Sequence, residues 1–143
     1  MFDDKKHVAL PSILTADDVN AVSPALAHYT QGALLKGLWK RPELSPRDRS
    51  VVTVAALIAR IQTVEMPYYF ALALDNGVTP AELSEIITHL AFYVGWANAM
   101  SAVAVAKDIF HQRNIGSAQL PPAQGKLLPL NEEAEKQRAT RKQ

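Results

Sequence analysis

The chain has 143 residues, 48% hydrophobic and 20% charged, which suits one domain with a proper core and excludes a disordered tail. A net charge of +1 gives no basic excess to make nucleic acid or an anionic membrane surface the main partner. With no cysteine, the chain has no disulfide, thiol nucleophile, Cys-held iron–sulfur cluster or Cys-type zinc site.

The stretch Met1–Leu14 lacks an apolar run long enough for a signal peptide. Thr15, with Asp18 three residues on, opens a short helix near 16–22. Three Ser/Thr–Pro pairs then start helices, each with a hydroxyl at the N-cap and a proline at the first helical position. Ser23-Pro24 opens 24–37, Ser45-Pro46 with Asp48 opens 46–63, and Thr79-Pro80 with Glu82 opens 80–94 as a capping box. Further helices are expected at 67–76 and 97–113. Gly37, Gly77 and Gly95 stand at ends where a left-handed residue is wanted. No segment alternates like a strand, and there is no internal repeat. The fold class is all-α, a bundle of about six helices over 1–115. Residues 116–143 are expected as an extended arm, bearing Leu127, Leu128 and Leu130, with a polar tail.

The most apolar run, Val51–Ile61, is interrupted by Thr53 and Arg60 and falls short of the roughly 20 residues a bilayer needs. A cytoplasmic protein without membrane attachment is the expectation. The run is apolar nearly all round and should be central. In the helix from Pro80, Leu83, Ile86, Ile87, Leu90 and Val94 make one core stripe. Phe92 points the other way, with Tyr93 well round towards it. That second face calls for burial in a homo-oligomer or under the arm after Gly116.

Candidates for chemistry are few. The histidines are His7, His28, His89 and His111, without HxxxH or HxH spacing, so no metal is expected. No Gly-rich phosphate loop or GxSxG elbow occurs. Glu65 lies at the junction Gln62–Tyr69, between two helices. It reads as a proton donor or acceptor whose pKa apolar neighbours raise, or as a plain helix-start acid. His89, one turn from Glu85 and from Tyr93, reads as an acid/base group or as a hydrogen-bonded interface histidine. Arg47 and Arg49 sit in a first turn, where surface roles are common. Arg60, ending the apolar helix, must be paired or meet an anion. Trp39, Trp96, Tyr68 and Tyr69 suit packing, though a tyrosine hydroxyl can donate to an oxyanion.

Four segments together have a familiar wording: Leu38–Ser50, Val51–Ala59, Ala73–Leu83 and Ile87–Trp96. Across roughly 22–113 the chain resembles the carboxymuconolactone decarboxylase family. The resemblance implies the all-α fold shared with alkylhydroperoxidase-D-like proteins, assembled as trimers or hexamers. The peroxidase branch carries Cys-x-x-Cys and then His, which would fall at Gln62, Glu65 and Tyr69, with a proton-relay Glu near Ser50. None of these is present, which excludes a thiol peroxidase. The decarboxylase branch usually keeps an acid at Glu65 and a histidine at His89, and both match. It commonly reads Pro-Phe-His or Pro-Tyr-His where this chain has Pro67-Tyr68-Tyr69.

The implied reaction converts gamma-carboxymuconolactone into the beta-ketoadipate enol-lactone and CO₂ in aromatic catabolism, with no cofactor. For that reaction Glu65 or His89 is the expected proton donor, Tyr69 the donor to the developing oxyanion and Arg60 or Arg47 the carboxylate clamp, with Trp96 and Tyr93 also binding a small carboxylate substrate. A family member acting on another small lactone or keto acid is one rival. A non-catalytic oligomer that binds a small acid or a protein is the other. Convergence of Glu65, Tyr69 and His89 on one apolar pocket favours an enzyme.

Overall fold

A computed structural model describes residues 14–141. His7 and the N-terminal stretch 1–13 lie outside them. The described residues form seven α-helices and no strand: α1 (Ala16–Val22), α2 (Pro24–Tyr29), α3 (Pro46–Ala59), α4 (Met66–Asp75), α5 (Pro80–Val94), α6 (Trp96–Gln112) and α7 (Glu132–Thr140). The all-α expectation holds.

The starts of α1, α3 and α5 follow the hydroxyl signals, whereas Ser23 precedes α2 without a capping bond. Thr15 and Asp18 make a reciprocal box at α1, and Thr79 and Glu82 make one at α5. Ser45 caps α3 by accepting from the Asp48 N–H at 3.0 Å. Each such cap is worth about 1 kcal/mol.

The ends hold the surprises. α2 does not continue as α-helix to residue 37. It widens into a π-helical stretch, Thr30–Leu35, followed by a 3-10 turn, Leu38–Lys40. Gly37 has φ −105°, so it is not left-handed; a side chain there would strike the Ala33 carbonyl. Gly77 (φ 98°) and Gly95 (φ 109°) do use glycine's freedom.

α3 stops at Ala59 rather than 63. Beyond it the Gln62 N–H reaches the Leu57 carbonyl at 2.9 Å and the Ile61 N–H reaches Ile58 at 3.2 Å. This is a Schellman closure with Ile61 in the left-handed position at φ 54°. The same closure recurs at Gly77 after α4 and at Asn114 after α6. A β-branched residue carries no sequence signal for that conformation, so the helix end at Ile61 is invisible to pattern reading.

The core lies among α3, α4, α5 and α6, with α3 packed on each of the other three. Val54, Ile58, Met66, Phe70, Ala73 and Leu83 are fully buried. On α6, Ala99, Ala102 and Ala106 form a buried column of small residues that lets the neighbouring helices approach closely. α3 is central along one stripe only, because Val52 is 60% exposed and Ala56 and Ala59 are exposed too. Ser50 is buried, donates to the Pro46 carbonyl at 2.8 Å and accepts from Asn76 at 3.0 Å. It ties the start of α3 to the end of α4.

The arm crosses only part of the bundle. Leu120 sits against α5 and α6, whereas Leu127, Leu128 and Leu130 are 82–90% exposed. The arm does not fold back over the second face of α5, where Phe92 and Tyr93 stay exposed. α7 is a regular helix capped by Asn131, with no buried residue. None of the described helices is long and apolar enough to cross a membrane.

Candidate active site

The closure at Ile61 turns the chain so that Glu65 becomes the N-cap residue of α4. Its carboxylate makes no capping bond, and the residue is exposed. Tyr69 follows one turn later, so both side chains share a face of the helix start. The Tyr69 N–H donates to the Glu65 carbonyl at 3.3 Å, fixing that relation.

Tyr69 is only 8% exposed. Its ring stacks on Trp39 with centroids 6.1 Å apart and meets the Tyr68 ring edge-on at 5.0 Å. The Tyr69 hydroxyl has no partner among the described residues, yet none of their buried side-chain polar atoms is left unpartnered. The hydroxyl therefore reaches accessible space. Burial first, and then the nearby Glu65 charge and Tyr68, push its pKa above the ordinary tyrosine value. At neutral pH it is a hydrogen-bond donor rather than a base.

Glu65 and Tyr69 open into one cleft of about 130 Å³, with Val64 and Tyr68 beside them. The start of α1 supplies Leu14, Thr15, Ala16 and Val19 as one wall. The π stretch supplies Thr30, Gln31 and Leu35 as another. Its wider turn explains why Thr30 and Leu35, five residues apart, line the same cleft; in a plain α-helix they would point about 140° apart. π-turns gather at functional sites. Sequence reading missed this wall because nothing in Thr30–Leu35 announces a change of helical period. Among the described residues no cation lines the cleft.

The other expected site residues lie elsewhere in the chain. His89 is exposed on α5, its ring stacked on Tyr93 with centroids 4.7 Å apart. Tyr93 and Trp96 are 75% and 65% exposed, and Trp96 meets Phe92 edge-on at 5.9 Å. The expected convergence of Glu65, Tyr69 and His89 is thus met by two of the three within one chain.

Arg47 is engaged by Glu82, the acid of the α5 capping box, with Asp48 at 3.6 Å. The Arg47 bond, then the Thr79 N–H, holds the Glu82 carboxyl below its usual range. Arg60 caps the end of α3 and is exposed. The expectation that it must be paired assumed burial; water solvates it instead. A larger depression of about 520 Å³ between α4 and α6 contains Asp108 and His111 and none of the expected site residues. Among the described residues no group of three His, Asp or Glu is placed to hold a metal ion.

Residues 24–108 match the family model described as the carboxymuconolactone decarboxylase family. Over 78 residues the chain is 35% identical to a 4-carboxymuconolactone decarboxylase of Acinetobacter baylyi, covering 54% of this chain and 58% of that protein. Over 70 residues it is 31% identical to a nitrosuccinic acid decarboxylase of Metarhizium robertsii, covering 49% of each. The chain spans about half the length of the curated relatives it matches.

Proposed function

The chain belongs to the carboxymuconolactone decarboxylase family, and from that premise we propose that it is a cofactor-independent decarboxylase of gamma-carboxymuconolactone, or of a related small acid, in aromatic catabolism. The observation that carries this reading is the cleft shared by the Glu65 carboxylate and the Tyr69 hydroxyl, neither of which has a hydrogen-bond partner among the described residues. Two relatives named as decarboxylases of small acids support the reaction class.

The chemistry asks little of the protein. The bond between the carboxylate and the ring carbon breaks, CO₂ leaves, and the electron pair moves through the conjugated lactone onto its carbonyl oxygen. One proton then returns to carbon, so the substrate exchanges CO₂ for H. Tyr69 donates to the developing oxyanion, where a positioned donor acts most strongly in a partly desolvated site. Glu65, in exchange with solvent, delivers the proton. The apolar walls from α1 and the π stretch hold the lactone against these two groups.

None of the described residues lining the cleft is a cation, so the retained carboxylate needs a partner beyond them. We assign Arg60, exposed and close in sequence to Glu65; Arg47 is the alternative and would have to leave Glu82. His89, with Tyr93 and Trp96, lies on the face we take as an interface of a homo-oligomer, a trimer or hexamer. From there it meets a cleft only between copies. We take 1–115 as the family domain and 116–143 as an appended arm.

The test is release of CO₂ from gamma-carboxymuconolactone against a no-enzyme control. Release that saturates with substrate is expected. No release from a folded, assembled sample refutes this substrate and moves the search to other small lactones, keto acids and nitro acids.

A further inference from the structure

Two apolar surfaces of this chain are left uncovered, and they fit each other. The first is a stripe along the α5–α6 groove. Leu120 lines one end of that groove together with Ile87, Thr88, Val103 and Phe110. Helical spacing extends the same face: Phe92 lies one turn beyond Thr88, and Met100 and Trp96 lie one and two turns before Val103. These four apolar residues are 46–78% exposed. The second surface is the arm itself, whose Leu127, Leu128 and Leu130 are 82–90% exposed.

We propose that the arm of one copy docks Leu127, Leu128 and Leu130 on the Phe92–Trp96–Met100–Val103 stripe of a second copy. Two observations favour this occupant. Leu120 already places arm sequence in the groove that the stripe continues, so the arm's chemistry suits it. The arm bends at 123–124 beyond that point, and arm and stripe both stay open within the single chain, so the intrachain pairing is not adopted. The inference does not rest on the decarboxylase reading.

The absence of cysteine makes the test clean. One batch carries Leu128→Cys and a second, with a distinguishable tag mass, carries Met100→Cys. Both positions are exposed, so both variants fold. The batches are mixed, allowed to exchange and oxidised, and the mixed-chain disulfide is measured by intact mass. The expected yield is at least fivefold above a control pair of Leu128→Cys with Val52→Cys, an exposed position on α3 outside the stripe. A yield equal to the control overturns the proposal. So does a double variant, Leu128→Cys with Met100→Cys, that closes within single chains instead. Adding Leu127→Ser and Leu130→Ser to the Leu128→Cys chain should cut the mixed disulfide about tenfold; an unchanged yield also overturns it, since apolar docking would then not hold the arm.

Discussion

Tyr69 separates catalysis from packing more cleanly than any other residue of the cleft. Tyr69→Phe removes only the hydroxyl. That oxygen bonds to nothing among the described residues, and the ring keeps its stack on Trp39 and its edge contact with Tyr68. No intramolecular bond is lost, so the stability change should stay within about 0.5 kcal/mol. Loss of an oxyanion donor, in contrast, costs about 100- to 1,000-fold in kcat. Tyr69→Ala is the counter-variant. It empties a buried aromatic site and should cost about 3–5 kcal/mol. The assay is CO₂ release for kcat and KM, paired with thermal and urea unfolding of all three proteins. Because the phenol is held above its ordinary value near 10, the neutral donor persists. Wild-type activity should show no loss from tyrosine ionisation until the pH passes about 10. Two results refute the reasoning: a Tyr69→Phe kcat within threefold of wild type, or a Tyr69→Phe protein as unstable as Tyr69→Ala.

Glu65→Gln keeps the shape of the helix start and should lower kcat by about 100- to 10,000-fold with an unchanged thermal midpoint; wild-type turnover removes Glu65 from the mechanism. Ile61→Gly should raise stability by about 1 kcal/mol, because glycine relieves the left-handed strain at φ 54°, and urea unfolding measures it. Glu82 titrates below its unfolded value of 4.5, so its stabilising contribution is present above that pH and fades as pH falls through the lower folded value. Glu82→Gln should therefore lower the midpoint at pH 7 and flatten the acid decline below 4.5; curves that run parallel from pH 7 to 3 contradict the Arg47–Glu82 linkage.

The fold was legible wherever a side chain both signals and makes the structure. Thr15, Ser45 and Thr79 announce their helices through the bonds they go on to form, and Gly77 and Gly95 announce theirs through the φ they supply. Where the structure departs from pattern, the cause is a backbone state without a residue-type marker. Ile61 ends α3 in a conformation usually left to glycine. Thr30–Leu35 changes helical period with no proline or glycine pair to mark it. These two departures build the cleft, one by turning Glu65 onto α4 and the other by forming the wall opposite. Glu65 was legible as a candidate from its place at a helix junction, and Tyr69 only through the family resemblance. The walls around them were not, because α1 and the π stretch are far away in the sequence.

The separation of His89 from that cleft follows from packing. α4 packs on α3 and α6, and α5 packs on the same two helices, so the two candidate-bearing helices are held by shared neighbours. His89 stacks with Tyr93 on the exposed side of α5, next to the row of Phe92 and Trp96. A role for His89 in the reaction then requires a second copy to bring that row to a cleft. Complementation reads this directly. Glu65→Gln chains keep His89, and His89→Ala chains keep Glu65, so each is deficient alone while a mixed oligomer can rebuild whole sites. With random 1:1 assembly and one neighbour per cleft, about a quarter of the sites regain both groups, and the mixture should recover about that fraction of wild-type turnover. Turnover equal to the average of the two separate variants would mean that His89 serves the surface through its Tyr93 stack and leaves the chemistry to Glu65 and Tyr69.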